Sequence, residues 1–202
     1  MRLAVIALFL TLLTAFPTAA REGAVGTVTR LQGSASTAQG AIGPGSPLAA
    51  GTVLTTGAGA RAELRFVDGT TVVIGERSRF AVESFAYDAP SQSGQAHFRV
   101  DQGVFLVNSG AVAKLPGRPL SVATPVASIG VRGTKFWGGS LNNPLDVLLL
   151  EGAITVRSPG GSADLDNPLD GTDVPAPGAA PSPVGRWKPE RVEKALQSVS
   201  FD

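Results

Sequence analysis

The chain has 202 residues, of which 43% are hydrophobic, and it carries 17 basic and 16 acidic side chains. A net charge of +1 with interspersed signs gives no long-range field to attract nucleic acid or an anionic membrane surface, so we expect neither as a partner. Cysteine is absent, and stability must therefore come from apolar packing and strand pairing without disulfides.

Residues 1–20 have the features of a secretory signal peptide. An apolar run over residues 3–13 follows Arg2, Pro17 interrupts it, and small residues precede Arg21. The run is too short for a stable membrane anchor, and no cysteine follows it as a lipid-attachment site. Cleavage before Arg21 removes one basic residue and leaves 16 of each sign. We expect an exported protein, periplasmic or secreted, without stable membrane insertion.

Residues 23–158 contain short apolar alternations separated by glycine, which predicts a single all-β domain of many short strands. In the clearest case, over residues 61–67, apolar and charged side chains alternate between two faces. Strands are predicted at residues 25–31, 53–54, 61–67, 70–74, 79–85, 97–101, 104–107, 120–124, 145–150 and 154–157. Their regular spacing fits a sandwich, a barrel or a solenoid, and periodicity alone does not choose among these.

Asp68-Gly69 lies between two predicted strands. This dipeptide is a strong signal for a tight hairpin with a positive φ in the turn. We therefore interpret Asp68 as a turn residue, in preference to a carboxylate of a binding site.

The last 44 residues differ in composition from the β region. Residues 159–186 are rich in proline, glycine and aspartate and poor in large apolar side chains, so we predict a flexible or extended linker. Residues 187–202 are predicted to form a short amphipathic helix and a tail, with Pro189 in the first turn. A helix this short is marginal alone, and we expect it to dock on its own domain.

The inventory of reactive side chains argues against an enzyme. His97 is the only histidine, and no cysteine is available for a nitrogen or sulfur metal site. No serine stands in a nucleophile turn of the form Gly-x-Ser-x-Gly. The acidic residues over 164–173 lack the glycine and the glutamate that an EF-hand loop requires. We predict no catalytic residue, no cofactor and no metal site, and we interpret His97 as a solvated strand residue.

The segment over residues 124–136 is the most informative of the chain, because two glycines and an arginine interrupt a strand-like apolar run. Gly130 and Gly133 predict that the backbone bulges, turns or passes close to another segment. Arg132 between them is a candidate recognition residue, since a guanidinium offers five donors in a fixed fork. The alternative is structural, with Arg132 pairing internally with a carboxylate or strand carbonyls. Thr134 belongs to the same candidate motif.

Several motifs, in order along the chain, together resemble the FecR domain, the family named after the periplasmic part of the iron-citrate signalling regulator. The first motifs are Gly26-x-Val28-x-x-Leu31-x-Gly33, Leu48-x-x-Gly51-x-x-Leu54-x-Thr56-Gly57 and Ala62-x-Leu64-x-Phe66-x-Asp68-Gly69-Thr70. The later ones are Gln102-Gly103-Val104, Thr124-Pro125-x-Ala127-x-Ile129-Gly130-Val131-Arg132-Gly133-Thr134-x-Phe136 and Leu150-Glu151-Gly152-x-Ile154-x-Val156.

The resemblance implies an all-β domain, solenoid-like or sandwich-like, that works outside the cytoplasmic membrane. We expect a stand-alone secreted FecR-like protein, without the transmembrane and anti-sigma parts of the regulator. The predicted function is a non-enzymatic binding module whose partner is an envelope protein or a sensor in a signalling system. The alternative is a structural or glycan-binding envelope protein, for which Tyr87, Trp137 and Trp187 are the available stacking groups.

Overall fold

The computed structural model describes residues 23–117 and 119–201. The predicted signal peptide, residues 1–20, lies outside the described residues. Within the described part, strands form two nine-stranded sheets, called sheet 1 and sheet 2 below, and one α-helix follows them. No helix in this part of the chain combines the length and apolar character needed to cross a membrane.

Sheet 1 contains β1 (Ala24–Gln32), β4 (Pro47–Ala49), β6 (Arg61–Phe66), β7 (Thr71–Ile74), β10 (Val104–Asn108), β13 (Lys135–Gly139), β14 (Leu145–Glu151), β17 (Asp170–Val174) and β18 (Gly185–Arg186). Sheet 2 contains β2 (Ala35–Thr37), β3 (Gly40–Ile42), β5 (Val53–Thr56), β8 (Arg79–Asp88), β9 (Ser93–Gln102), β11 (Leu120–Ala123), β12 (Ser128–Val131), β15 (Ile154–Ser158) and β16 (Gly161–Leu165). A 3₁₀ turn at Val112–Lys114 precedes β11, and the helix α1 spans Pro189–Gln197.

The chain alternates between the sheets and advances along both of them. The spatial order is β18-β17-β14-β13-β10-β7-β6-β1-β4 in sheet 1 and β16-β15-β12-β11-β9-β8-β5-β2-β3 in sheet 2. Neighbouring strands pair antiparallel throughout the described part, apart from β9 and β11, which run parallel. Because neighbouring strands are antiparallel, short hairpins and corners can connect most of them.

The two sheets pack face to face as a sandwich around one apolar core. Phe66 of sheet 1 lies against Phe85 and Phe98 of sheet 2, with ring centroids 5.2 and 4.7 Å apart. All three rings are buried, and such aromatic pairs add to the free energy gained from burial. The all-β prediction is confirmed, and the structure shows two layers of sheet where the sequence left several arrangements open.

The predicted strands coincide with observed strands, and the alternation that predicted them places their apolar side chains in the core. In β6, Ala62, Leu64 and Phe66 are buried, as the sequence pattern indicates. The sequence did not reveal β13, in which Gly138 and Gly139 interrupt the apolar pattern, or the short strands β2, β3 and β4, which have only three residues each. Strands this short carry too few alternating positions to be recognised.

The prediction of a linker over residues 159–186 is wrong where β16 and β17 lie. β16 pairs with β15 along its whole length, and β17 pairs with β14. Leu165 and Val174 are fully buried in the core. The segment has too few apolar residues to fold alone, but existing sheet edges supply hydrogen-bond partners and a core for the few that it has.

The C-terminal helix docks on the outer face of sheet 1, as expected. Trp137, on β13, and Trp187, just before α1, are both buried and meet edge to face with ring centroids 6.1 Å apart. The indole Nε1 of Trp137 donates a hydrogen bond of 3.0 Å to Ser198 Oγ. Ala195 of α1 is fully buried in the same cluster. The helix thus covers apolar side chains that a two-layer sandwich would leave in water.

An ion pair fastens α1 to the sheet. Arg191 of the helix reaches the fully buried carboxylate of Asp146 on β14 at 2.6 Å. The guanidinium also lies 3.8 Å from the ring centroid of Trp187 and 3.7 Å from Asp173. A partly buried arginine that both pairs and stacks is held in one geometry.

Candidate functional site

The segment over residues 124–136 forms the β11–β12 hairpin, the strand β12 and the corner that follows it. Thr124 closes the hairpin: its N–H donates to the Ala127 carbonyl at 2.8 Å, and its Oγ1 accepts from the Ala127 N–H at 3.1 Å. A threonine that bonds the backbone three residues on is a common turn device. The strand β12 begins directly after this turn, at Ser128.

Gly130 lies inside the regular strand β12, opposite Ser121 of β11 and Thr155 of β15. Its neighbours Ile129 and Val131 are buried in the core, so Gly130 belongs to the outer face of sheet 2. A Cβ at this position would have Thr155 O as its nearest neighbour, 3.9 Å away. The glycine therefore leaves a depression in the sheet surface, and the backbone does not bulge there.

The predicted turn in the motif occurs at Gly133 and Thr134, where the chain passes from sheet 2 to sheet 1. Gly133 has φ of +69°, a conformation that glycine adopts without strain. Thr134 is buried; its N–H donates to Ser109 Oγ at 2.7 Å, and its carbonyl accepts from the Ser109 N–H at 2.9 Å. These two residues hold the corner in place and do not face the open surface of sheet 2.

Arg132 lies on the outer face of sheet 2 beside Gly130. Its Nη2 donates to Thr155 Oγ1 at 2.6 Å and to Asp164 Oδ1 at 3.3 Å. Thr155 Oγ1 in turn donates to Asp164 Oδ1 at 2.5 Å. The Arg132 side chain is 36% exposed and that of Asp164 is 58% exposed. Arg132 is thus oriented by an internal partner, but the pair is open to water and contributes little to stability.

Arg157 is the second arginine of this surface. It stands opposite Ser128 in the β12–β15 pairing and is exposed. Two shallow clefts, of about 310 and 410 Å³, meet at its side chain. The smaller cleft is lined by Gly130, Arg132 and Thr155, and the larger by residues 124–128 and the chain around Pro159. We call these two clefts together, with Arg132 and Arg157, the β12 groove.

The rest of the neighbourhood is polar. His97 of β9 lies on the same outer face, as expected, and its Nδ1 is 2.8 Å from Ser121 Oγ. Among residues 23–117 and 119–201, no three His, Asp or Glu side chains are grouped closely enough to hold a metal ion. The groove contains guanidinium donors beside hydroxyl groups. This combination suits the binding of carboxylates.

Asp68 and Gly69 lie in the β6–β7 hairpin of sheet 1, away from the groove. Gly69 has φ of +86°, which agrees with the predicted turn. The Asp68 carboxylate accepts hydrogen bonds from the Thr70 N–H at 2.9 Å and from the Val112 N–H at 3.1 Å. Asp68 thus joins the hairpin to the 3₁₀ turn, a contact that only the folded chain reveals.

Sequence reasoning singled out Arg132 but missed Arg157, Thr155 and Asp164. The structure brings them together because β12, β15 and β16 are neighbours in sheet 2. A signal was present for two of them, since the alternation of Ile154 and Val156 with Thr155 and Arg157 assigns the latter to the polar face. Asp164 was hidden by the linker interpretation.

The FecR protein family matches residues 52–155, just over half of the chain. The chain belongs to the FecR family. The matched range contains Gly130, Arg132, Gly133 and Thr134 as well as Asp68-Gly69, and it ends within β15. This match confirms the resemblance to the FecR domain that the sequence motifs indicate. The comparison with curated proteins found no match.

Two solved structures show the same fold. Both are crystal structures of a "putative anti-sigma factor" from Parabacteroides distasonis ATCC 8503, at 1.65 and 2.50 Å resolution. Each is 18% identical and aligns over 72% of this chain, with TM-scores of 0.58 and 0.57. This chain covers 65% and 64% of their lengths. At this identity the likeness concerns the fold alone.

Proposed function

We propose that the chain is an exported, non-enzymatic FecR-family module that binds a protein partner in envelope sensing or signalling. The observation that carries this proposal is the β12 groove, because residues of the family motif line both of its clefts on an open sheet face. Membership of the FecR family supports a role in signalling, and the likeness to proteins described as anti-sigma factors agrees with it.

Export is proposed from the sequence. The apolar run over residues 3–13, the break at Pro17 and the small residues before Arg21 are those of a cleaved signal peptide. A sandwich without disulfides can work in an oxidising compartment, because its stability comes from a continuous apolar core.

A binding role suits the groove better than catalysis does. General acid–base chemistry needs a group poised to take or give a proton within reach of a substrate. The described lining of the groove consists of arginine, hydroxyl, glycine and apolar side chains. Arginine remains charged at all ordinary pH values, and it therefore serves recognition.

Glycan binding, the alternative raised by the sequence, receives no support from the aromatic side chains. Sugar rings stack on exposed aromatic faces, but Trp137 and Trp187 are 0% and 6% exposed beneath α1. Tyr87 is half-buried against the core. The two tryptophans, the larger of these stacking groups, are already used to hold the helix.

Pull-down from solubilised envelope extract tests the proposed function. The purified protein and the double variant Arg132→Gln/Arg157→Gln are compared, with Arg65→Gln, an exposed strand arginine of sheet 1, as the matched control. We expect the wild type and the control to retain a membrane sensor or another envelope protein that the double variant loses. Retention on peptidoglycan or polysaccharide alone, or capture of no envelope protein by the wild type, would count against the proposal.

A further inference from the structure

We propose that the β12 groove recognises an acidic, extended segment of its partner protein, whose carboxylates bind Arg157 and Arg132. This inference rests on the proposed function and names the chemistry of the partner. Four observations carry it: the unpaired charge of Arg157, the free donors of Arg132, the spacing of the two arginines, and the position of Asp164.

Among the described residues, Arg157 is a cation with no carboxylate partner. Over the described residues, no hydrogen bond or ion pair engages its guanidinium, and its side chain stands where the two clefts meet. Its neighbours across the strands are Ser128 and Ser162, which are small and neutral. A carboxylate brought by a partner finds a planar fork of donors there, with no internal acid to displace.

Arg132 is held in position but only partly used. Its Nη2 makes both of its hydrogen bonds, to Thr155 and Asp164, and the described residues give Nη1 and Nε no partner. The guanidinium can therefore bind a second carboxylate through Nη1 and Nε. Its hydrogen bond to Thr155 meanwhile keeps the Arg132 side chain in position. A side chain that is already ordered loses less conformational entropy when a partner binds.

The spacing of the arginines suits a segment lying along β12. Arg157 stands opposite Ser128, and Arg132 follows Ser128 by four residues on the same face. At about 3.3 Å per residue the two attachment points are about 13 Å apart along the strand direction. In an extended peptide, side chains on one face recur every second residue, so two acidic residues four positions apart match the spacing of the two arginines.

The position of Asp164 favours a peptide over a uniform polyanion. Its carboxylate lies 3.3 Å from Arg132 Nη2 and is more than half exposed at the rim of the groove. A polysaccharide or nucleic acid with a charge on every unit would place an anion against Asp164. A peptide can place an acidic residue at Arg157 and a neutral one at Asp164, which avoids that repulsion.

A titration with two synthetic decapeptides, followed by amide chemical shifts, tests this inference. One peptide has two glutamates four positions apart among serines, and the other has glutamines at the same two positions. We expect the glutamate peptide to shift the amides of Gly130, Thr155 and Arg157 and to bind at least about tenfold more tightly. Equal binding of the two peptides, no binding of the glutamate peptide, or shifts confined to other surfaces would overturn the inference.

Single variants assign the effect to the groove. Arg157→Gln and Arg132→Gln should each weaken binding of the glutamate peptide by about tenfold or more, since each removes a charged hydrogen-bond partner. Asp164→Asn should strengthen it about two- to fivefold, a gain that a damaged fold would not produce. Arg65→Gln should leave it unchanged. Tighter groove binding of heparin than of the glutamate peptide would instead indicate a polyanion site and contradict the peptide assignment.

The pull-down experiments distinguish failure of this inference from failure of the proposed function. If the envelope partner is captured equally by the wild type, Arg157→Gln and Arg132→Gln, the acidic-segment inference fails while a binding role stands. If the wild type captures no envelope protein, the proposed function fails, and the peptide titration still reports whether the groove recognises carboxylates.

Discussion

Two arginine–aspartate pairs of this protein differ in burial, and that difference sets their roles. Asp146 is fully buried and accepts hydrogen bonds from the N–H groups of Leu141, Asn142 and Asn143 in addition to its bond with Arg191. Asp164, beside Arg132, is more than half exposed. A buried and fully bonded carboxylate fixes structure, whereas an exposed one is free to exchange partners.

Replacing each aspartate by asparagine should separate the two roles. Asp146→Asn removes the nearer of the two carboxylates beside the partly buried Arg191, and we expect a loss of about 3–5 kcal/mol in the free energy of unfolding. Asp164→Asn is the control and should cost less than about 1 kcal/mol. Denaturant unfolding at neutral pH measures both. Equal losses for the two variants would contradict the assignment of one pair to structure and the other to the surface.

The Asp146 pair should also make stability depend on pH in the acid range. Burial tends to raise the pKa of Asp146, but the hydrogen bonds from Asn142, Asn143 and Leu141 outweigh it and hold the pKa below the usual 3.8. A folded-state pKa below the unfolded one stabilises the protein above that range, and the contribution disappears as pH falls through the folded-state value. The stability difference between the wild type and Asp146→Asn should therefore be complete at pH 7 and shrink below about pH 4. A difference independent of pH would show that the charge of Asp146 contributes nothing.

At the scale of elements, the C-terminal helix depends on a close approach between Trp187 and β17. A Cβ on Gly171 would lie 2.0 Å from the indole Nε1 of Trp187, so only glycine leaves room for the ring. A Cβ on Gly185, which lies directly opposite in β18, would have no atom within 4 Å. The two glycines form a matched pair for testing how α1 docks.

Gly171→Ala should displace Trp187 and loosen α1, whereas Gly185→Ala should be tolerated. Overpacking of this kind costs about 1–3 kcal/mol, while a substitution into open space stays within about 0.5 kcal/mol. Tryptophan fluorescence should shift to longer wavelength in the first variant only. An unchanged spectrum and stability for Gly171→Ala would contradict the docking of Trp187 against β17.

The strands β16 and β17 provide a second test at this scale, because the sequence predicts a linker there. Leu165→Ala, at a fully buried position, should reduce the free energy of unfolding by about 2–5 kcal/mol. Val184→Ala shortens an apolar side chain within the same range of the sequence but at a position 38% exposed, and we expect less than about 1 kcal/mol. A negligible effect of Leu165→Ala in thermal or denaturant unfolding would restore the linker interpretation.

The sequence predicts the elements in which apolar and polar side chains alternate between the two faces, and β6 is the clearest case. It predicts α1 as well, because Pro189 marks the first turn and the apolar face is regular. It does not predict β16 and β17, since a few apolar residues among aspartates and glycines become strands only when β14 and β15 supply an edge. The local composition of a segment indicates how much apolar surface it can bury by itself. These two strands instead bury their apolar residues in a core that the other strands form.

The site was predictable only in part for the same reason. Arg132 was recognisable because glycines flank it within the motif. Arg157 carries no local signal beyond alternation, and its importance arises from the pairing of β15 with β12. The contact of Asp68 with Val112, 44 residues away, is likewise a product of the fold.

At the scale of the whole molecule, the two outer faces of the sandwich have different tasks. The outer face of sheet 1 is apolar around Trp137, and α1 covers it. The outer face of sheet 2 is polar around β12 and carries no helix in the described part of the chain. One face packs against the helix, and the other, which displays Arg132 of the family motif, is open to solvent in the described part of the chain.

Photo-crosslinking in living cells tests most directly that this open face is the partner-binding surface. A photoreactive amino acid replaces Ser128, which is exposed in the β12 groove, or Arg65, which is exposed in sheet 1. We predict that the Ser128 position crosslinks to an envelope protein and that adding Arg157→Gln abolishes the crosslink, while the Arg65 position gives none. Crosslinks to a protein from Arg65 alone, or equally from both positions, would contradict the account.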